Sequence, residues 1–175
     1  MQLKQFIPQE FCLECEVCCR FPEAHTVWSP RFAKSEIEIL VQGGMLPASF
    51  FETICQYAPT DSKNLYRVAL EKHNDLFFCP CFTIDTHKCK IYENRPFECK
   101  LYPFMLAKKE KGLFLALDTQ CPYASRCTQD DLKKQAQYLK KELEREENRK
   151  FLARHPELFA SYDSGSLQLM FGLNI

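Results

Sequence analysis

Helical periodicity is clearest in the last third of the chain. Apolar residues recur there four, three and four positions apart, at Leu132, Ala136, Leu139 and Leu143. This narrow apolar stripe predicts one helix from Asp130 to about Leu152. Asp130 and Asp131 fall in its first turn, where the helix dipole favours acidic side chains. We expect the helix to lie across the surface of the domain, and docking of a protein partner or a second copy is the alternative use of the stripe.

A shorter amphipathic pattern precedes two glycines in the first third of the chain. Ser35 and Glu38 have the spacing of a capping box. Gly43-Gly44 suits the positions just beyond a helix C-terminus. The sequence therefore predicts a helix with Ser35 as its N-cap, and a further helix from Ala48 to Tyr57.

Short apolar runs elsewhere predict strands. Two such runs extend from Leu65 to Leu70 and from Leu76 to Phe78. Residues 105–107 and 113–117 flank the polar segment 109–112, which contains a glycine, and this order predicts a β-hairpin.

The remaining segments define the organisation of the chain. Residues 79–104 are rich in cysteine and proline and are expected to form loops and short turns, whereas residues 161–175 are expected to form a loosely held tail. The predicted fold class is α+β, a single small domain with a loop-rich cysteine core and a C-terminal helix. We place a cysteine-cluster domain at residues 1–127, and a helical extension and tail packed on it at residues 128–175.

Composition and charge exclude several functions. The chain has 175 residues with 23 basic and 23 acidic side chains, so it lacks the basic field that drives nucleic-acid binding. Its five glycines form neither a G-x-G-x-x-G nor a Walker A loop. No apolar run reaches the length of about 18 residues that a membrane helix needs. We expect a cytoplasmic protein with no nucleic-acid partner and no membrane contact.

Cysteine usage points to metal. Eleven cysteines are too many to be ordinary core residues in the reducing cytoplasm, and their odd number argues against a disulfide framework. Cys12, Cys15 and Cys18 have a C-x2-C-x2-C spacing that binds iron–sulfur clusters, whereas C-x2-C pairs also build zinc sites. Adjacent side chains point apart, so Cys18 and its neighbour Cys19 suggest either two neighbouring metal sites or one spare thiol.

Other side chains extend this picture. Basic residues beside the cysteines are expected to donate to thiolates or nearby carbonyls, and they are Arg20, Lys88, Lys90, Arg95, Lys100 and Arg126. His25 and His87 are candidates for a Cys3His site. Cys79 and Cys127 are alternative ligands, whereas Cys55 is expected to be a small buried hydrophobic residue. The sequence thus predicts a metal-organised core.

Four blocks of residues occur in a characteristic order. They are Cys12-x2-Cys15-x2-Cys18-Cys19, Cys81-Phe82, Cys89-Lys90-Ile91-Tyr92-Glu93-Asn94-Arg95-Pro96 and Cys99-Lys100-Leu101-Tyr102-Pro103-Phe104. Together they resemble the CxxCxxCC zinc- or iron-chelating domain, the YkgJ-like cysteine-cluster family, from about Phe11 to Cys121.

The resemblance implies binding of zinc or iron, including an iron–sulfur cluster of the [4Fe-4S] type. The implied ligands are Cys12, Cys15, Cys18, Cys19, Cys81, Cys89, Cys99 and Cys121. Flagellin lysine N-methylases carry a similar cluster, so the alternative function is an iron–sulfur-dependent redox or protein N-methyl-transfer enzyme. The sequence supplies no catalytic residue for such a reaction.

Overall fold

The structure is a computed structural model that describes residues 3–15, 17–47, 49, 51–53, 65–162 and 165–175, with the backbone alone for 51–53. Helices and strands are mixed along the chain, which confirms the α+β class. Two compact units are present. We call Pro8–Cys99 the N-terminal unit, and Lys100–Ile175 together with Met1–Ile7 the C-terminal unit. The predicted division at residue 127, between the cysteine-cluster domain and the helical extension, stays a prediction.

Short antiparallel strands dominate the N-terminal unit. Its strands are β1 (Arg20–Phe21), β2 (Arg31–Ala33), β3 (Phe51–Thr53), β4 (Leu65–Val68), β5 (Glu71–His73), β6 (Leu76–Phe78), β7 (Phe82–Thr83) and β8 (Lys88–Cys89). They pair in the orders β1-β6-β5, β2-β4-β3 and β7-β8. The helices are α1 (Gln9–Glu14), α2 (Lys34–Gln42) and α3 (Phe97–Leu101), which crosses the unit boundary, and a 3-10 turn covers Tyr92–Asn94. The strands predicted near 65–70 and 76–78 are confirmed.

The start of α2 differs from the predicted one. Strand β2 continues through Ala33, which becomes the N-cap, so the helix begins at Lys34. Oε2 of Glu36, in the first turn, accepts a hydrogen bond from the backbone N–H of Ala33 at 2.9 Å. The predicted capping box of Ser35 and Glu38 is therefore wrong by two residues, because pairing of β2 with β4 fixes where extended backbone ends.

The end of α2 is confirmed. Gly43 is the C-cap, and Gly44 has a φ of 67°, a left-handed conformation that glycine adopts without strain. The N–H of Met45 donates to the carbonyl of Leu40 at 2.9 Å, as in a Schellman motif. The helix predicted from Ala48 to Tyr57 is contradicted at 51–53, which form β3 against β4. Residues 48, 50 and 54–57, including Cys55, lie outside the described residues.

Aromatic and aliphatic side chains pack beside two of the cysteines. The buried members of this core are Phe32, Leu40, Leu46, Val68, Phe78, Cys79, Cys81, Phe82 and Ile91. Cys19 and Cys89 are partly buried and pack against it. The hydrophobic core of the N-terminal unit therefore includes two cysteines and contacts two more.

The C-terminal unit is a three-stranded antiparallel sheet with helices. Its strands are β9 (Phe104–Lys109), β10 (Gly112–Asp118) and β11 (Leu167–Gly172), in the order β11-β10-β9. Its helices are α4 (Pro122–Arg126), α5 (Gln129–Leu143) and α6 (Glu146–Arg154), followed by a 3-10 turn at Pro156–Leu158. The β9–β10 hairpin is confirmed. The expectation of a loosely held tail is wrong, because residues 167–172 form β11 and pair with β10 through five residue pairs.

The predicted long helix is two helices. Thr128 caps α5 by accepting a hydrogen bond from Asp131 N–H at 3.1 Å, which confirms the helix start. The chain becomes extended at Arg145 before α6 begins. Buried Asn148 on α6 donates to the carbonyl of Glu142 at 2.7 Å and thereby stabilises the corner. A continuous helix to Leu152 is therefore wrong.

The apolar stripe of α5 is used within the chain. Leu132, Ala136, Leu139 and Leu143 are all buried, so the stripe is not open to a protein partner. Among the described helices, none has the length and apolar character to cross a membrane.

The last turn of α5 is tied to the end of the chain. Lys140 Nζ lies 2.6 Å from Oε1 of Glu144 and donates to the carbonyl of Gly172 at 2.9 Å. The backbone N–H of Asn174 donates to the same carboxylate at 3.1 Å. Burial acts to raise the pKa of Glu144, but the Lys140 ammonium and the Asn174 N–H lower it by more. Ionised Glu144 therefore holds β11 and its following residues against α5.

Candidate metal centre

The N-terminal unit contains eight described cysteines, and all of them are free thiols. Cys12 lies on α1, and Cys15 caps this helix with its N–H donating to the carbonyl of Cys12 at 3.4 Å. Cys12 therefore lies on a helix, and Cys15 lies where that helix ends. A turn then leads to Cys18 and Cys19 immediately before β1.

A second pair of cysteines lies directly after β6. The N–H of Phe82 donates to the carbonyl of Cys79 at 2.8 Å, which closes a turn through Pro80 and Cys81. The N–H of Cys79 donates to the carbonyl of Cys19 at 3.1 Å. Cys89 lies on β8 opposite Phe82. Backbone hydrogen bonds therefore connect the first cysteine motif with the central one.

Cys99 lies on α3, which is anchored by two acidic side chains. Oε1 of Glu36 accepts a hydrogen bond from the backbone N–H of Phe97 at 2.7 Å. The Glu98 carboxylate accepts hydrogen bonds from Arg31, from its Nη2 at 2.5 Å and from its backbone N–H at 2.6 Å. Glu36 thus caps α2 and α3 together, and this double role explains why it, rather than Glu38, sits at the start of α2.

Neighbouring thiols act on one another in two places. The Cys19 thiol, followed by burial, raises the pKa of Cys18 well above the usual range. The Cys81 thiol, followed by burial, does the same for the pKa of Cys79. These thiols are therefore neutral in the metal-free protein, and a metal would have to displace their protons.

Burial dominates at two further positions. Burial raises the pKa of Cys89 to about 11. Burial, followed by neighbouring Cys79, raises the pKa of Cys99 well above the usual range. Other cysteines are among the causes of the pKa shifts of Cys12, Cys18, Cys19, Cys79, Cys89 and Cys99, so these cysteines and their partners form one electrostatic cluster. We use the name cysteine cluster for Cys12, Cys15, Cys18, Cys19, Cys79, Cys81, Cys89 and Cys99.

Arg95 is a basic side chain that acts on the thiols of this cluster. Its charge opposes the burial that raises the pKa of Cys12. Its guanidinium carbon lies 4.0 Å from the centre of the Tyr92 ring. Cys99 and Cys12 are the neighbours that most raise the pKa of Arg95, against the opposing effect of burial. The location agrees with the predicted role of a basic donor beside the thiols.

Three of the other basic residues predicted as donors contact a carbonyl, contact aromatic rings or are exposed. Lys90 Nζ donates to the carbonyl of Pro80 at 3.1 Å. Arg20 lies over the rings of Phe78 and Phe82, at 5.5 and 5.4 Å from their centres. Lys88 is exposed. Proximity in sequence therefore does not identify the cation that faces the sulfurs.

His87 joins two segments of the cluster. Its Nδ1 lies 3.1 Å from the carbonyl oxygen of Leu13, and its Nε2 lies 3.3 Å from Nη2 of Arg20. These contacts fit a neutral ring that donates through Nδ1 and accepts through Nε2. Both nitrogens thus have protein partners, which disfavours the predicted alternative of a histidine ligand here. His25 is exposed.

Two cysteines belong to the C-terminal unit. Cys121, a predicted ligand, is buried and precedes α4, with its carbonyl accepting from Ser125 N–H at 3.1 Å. Cys127 follows α4 and lines a surface groove with Phe6, Tyr123 and Asp131. The role of Cys121 as a ligand stays a prediction.

The donor set fits a metal that prefers sulfur. Thiolate ligands select zinc and iron–sulfur clusters over hard cations such as magnesium. In the described part of the chain, no three cysteine, histidine or acidic side chains already stand at the spacing of a metal site. The cluster therefore has ligands of the right chemical type. Its thiols would have to lose their protons and move closer together to bind a metal.

The fold and the cluster define a small α+β protein with a thiol-rich candidate metal centre. A family model described as "Putative zinc- or iron-chelating domain", CxxCxxCC, matches residues 11–122. The chain belongs to this family, and the match confirms the resemblance seen in the sequence. No curated protein and no solved structure shows significant similarity to the chain.

Proposed function

We propose that this protein binds zinc or iron through cysteine thiolates of the N-terminal unit. One observation carries the proposal: a single compact unit holds eight free thiols, and the pKa values of several of them respond to other thiols of the same set. Buried thiolates are costly unless a cation compensates their charge. A metal ion meets that need, and the family to which the chain belongs is described as zinc- or iron-chelating.

The proposed ligands are those that the sequence predicts. Seven of them belong to the cysteine cluster, namely Cys12, Cys15, Cys18, Cys19, Cys81, Cys89 and Cys99. Cys121 of the C-terminal unit is the eighth ligand that the family resemblance implies. Eight thiolates would fill two four-coordinate sites.

Closed sites of this kind suit a structural zinc module in the reducing cytoplasm, where free thiols persist. A protein partner of such a module would bind a surface other than the apolar stripe of α5, which is buried. The second candidate is an iron–sulfur redox or N-methyl-transfer enzyme, favoured by the C-x2-C-x2-C spacing. That enzyme needs an iron with an open coordination position, whereas an iron-handling protein needs labile metal.

Elemental analysis of protein purified without oxygen, together with its visible spectrum, tests the proposal. Colourless protein with stoichiometric zinc supports the structural module. Iron with acid-labile sulfide and broad visible absorption supports the iron–sulfur centre instead. Labile iron that a mild chelator removes without unfolding supports iron handling. Protein that takes up neither metal, even after reduction and reloading, would refute metal binding altogether.

A further inference from the structure

Cys79 lies outside the four blocks that carry the family resemblance but inside the cysteine cluster. It directly follows β6, and its backbone N–H donates to the carbonyl of Cys19 at 3.1 Å. Two residues on, Cys81 lies in the turn that begins at Cys79, since the N–H of Phe82 donates to the Cys79 carbonyl. The backbone of Cys79 is therefore joined to Cys19 of the first cysteine motif by a hydrogen bond and to Cys81 by a turn.

A fixed turn holds this pair of thiols together. The N–H of Phe82 donates to the carbonyl of Cys79 at 2.8 Å, and Pro80 occupies the second position of the turn. Proline fixes φ near the value that this position requires. Lys90 holds the turn from outside, since its Nζ donates to the Pro80 carbonyl at 3.1 Å and its N–H donates to the Cys81 carbonyl at 2.7 Å. Both sulfurs are thus presented together by the backbone.

The surroundings of Cys79 also differ from those of an ordinary buried cysteine. Its exposed fraction is 8%, and Phe78 and Phe82 belong to the same core. Charge on Cys79 acts on three other thiols, those of Cys19, Cys89 and Cys99.

We infer that Cys79 is a metal ligand of this chain and completes, with the seven predicted ligands of the cysteine cluster, a set of eight thiolates within the N-terminal unit. The inference rests on the proposed function and makes Cys79, rather than Cys121, the eighth ligand. Each thiol that binds the metal forms a sulfur–metal bond and releases its proton to solvent. The ligand chemistry is that of a sulfur-preferring cation, either zinc or the iron of a cluster.

The direct test uses the full chain loaded with an NMR-active isotope of Cd²⁺ in place of zinc. Scalar coupling through the sulfur links the bound cadmium to the β-protons of each cysteine that ligates it. We expect a cross-peak from cadmium to the β-protons of Cys79, as well as to those of Cys81. Bound cadmium without a cross-peak to Cys79 would overturn the inference. Failure of the wild-type chain to take up Cd²⁺, Zn²⁺ or iron would instead overturn the proposed function.

Substitutions provide an independent test. Cys79→Ser should weaken Cd²⁺ binding at the weakest site by about tenfold or more, since loss of an outer-shell partner alone costs about 10–100-fold. Cys79→Ala separates ligation from packing, because it keeps a small apolar side chain and removes the sulfur. Cys127→Ser is the matched control, since this thiol lies outside the cluster, and it should bind Cd²⁺ like the wild type.

The outcomes are distinct. Folded Cys79→Ser and Cys79→Ala chains that bind Cd²⁺ as tightly as the control would overturn the inference. Weakened binding in both, with unchanged binding in the control, supports it. If neither variant folds, the cadmium cross-peaks of the wild-type chain decide. A cross-peak to Cys121 in place of Cys79 would show that the set of eight is completed by the ligand that the family resemblance implies.

Discussion

Replacing Arg95 with glutamine should weaken metal binding without unfolding the N-terminal unit. The charge of Arg95 acts on the thiols of Cys12, Cys18, Cys89 and Cys99. Four thiolates around a divalent ion carry a net charge of about −2, which a nearby cation stabilises. The neutral thiols of the metal-free protein gain much less from the guanidinium. Arg95 therefore favours the loaded state over the empty one.

The size of the effect follows from distance and burial. Opposite unit charges about 4 Å apart attract by about 4 kcal/mol at the effective dielectric of a protein surface. Much of this is offset by the cost of removing the guanidinium from water. Partners in the outer shell of a metal site usually change affinity by about 10–100-fold. We expect a loss in this range for Arg95→Gln, equivalent to about 1.4–2.8 kcal/mol of binding free energy.

Competition with a chromophoric chelator for Zn²⁺, under reducing conditions, measures the affinity. Arg95→Lys keeps the positive charge and should recover part of the loss, although the ammonium lacks the planar fork and its stacking on Tyr92. Lys88→Gln is the matched control, because Lys88 is adjacent in sequence to Cys89 but exposed. An unchanged affinity in folded Arg95→Gln would refute the reasoning. Equal losses in the glutamine and lysine variants would assign the effect to shape rather than to charge.

Three further predictions concern stability. Glu36→Ala removes the carboxylate that caps two helices and should lower the free energy of unfolding in urea by about 2 kcal/mol; unchanged stability would refute the double cap. Leu139→Ala should cost about 2–5 kcal/mol, since this side chain is 0% exposed. The same truncation at Leu169, which is 46% exposed, should cost clearly less in the same urea titration. Glu144 has a lowered pKa in the folded state, so its stabilising effect is present above its unfolded pKa of about 4.3 and is lost as pH falls through the folded value. Unfolding of wild type and Glu144→Gln across this range should show a stability gap that closes in acid, and a gap independent of pH would contradict the assignment.

Local signals in the sequence predicted several elements correctly. Helix α5 begins at Gln129, one residue before its predicted start, and Gly43-Gly44 ends α2. The β9–β10 hairpin follows from two apolar runs around a glycine. In each case the hydrogen bonds that define the element join residues close together in the chain, so the pattern of nearby residues is sufficient.

Predictions failed where distant residues decide the outcome. Helix α2 begins at Lys34 because β2, which pairs with β4, keeps the backbone extended through Ala33. Glu36, in the first turn of α2, also caps the Phe97 N–H, 61 residues further along the chain. The tail becomes β11 because β10 offers it a free edge, with the N–H of Leu173 donating to the Leu113 carbonyl at 2.9 Å. The long helix breaks at Arg145, where the alternation of charged side chains gives no visible stop signal.

The sequence by itself determined the chemistry of this protein: its family, the abundance of thiols and seven cysteines that the structure brings into one cluster. Ligand type depends on residue identity and close spacing, and both can be read from the chain. Only the tertiary structure decided which neighbours those thiols have. It joined Cys79 to Cys19 through a backbone hydrogen bond, placed the charge of Arg95 near Cys12, and gave both nitrogens of His87 protein partners. These choices depend on contacts between segments tens of residues apart, because packing of the core, rather than local pattern, fixes where each side chain lies.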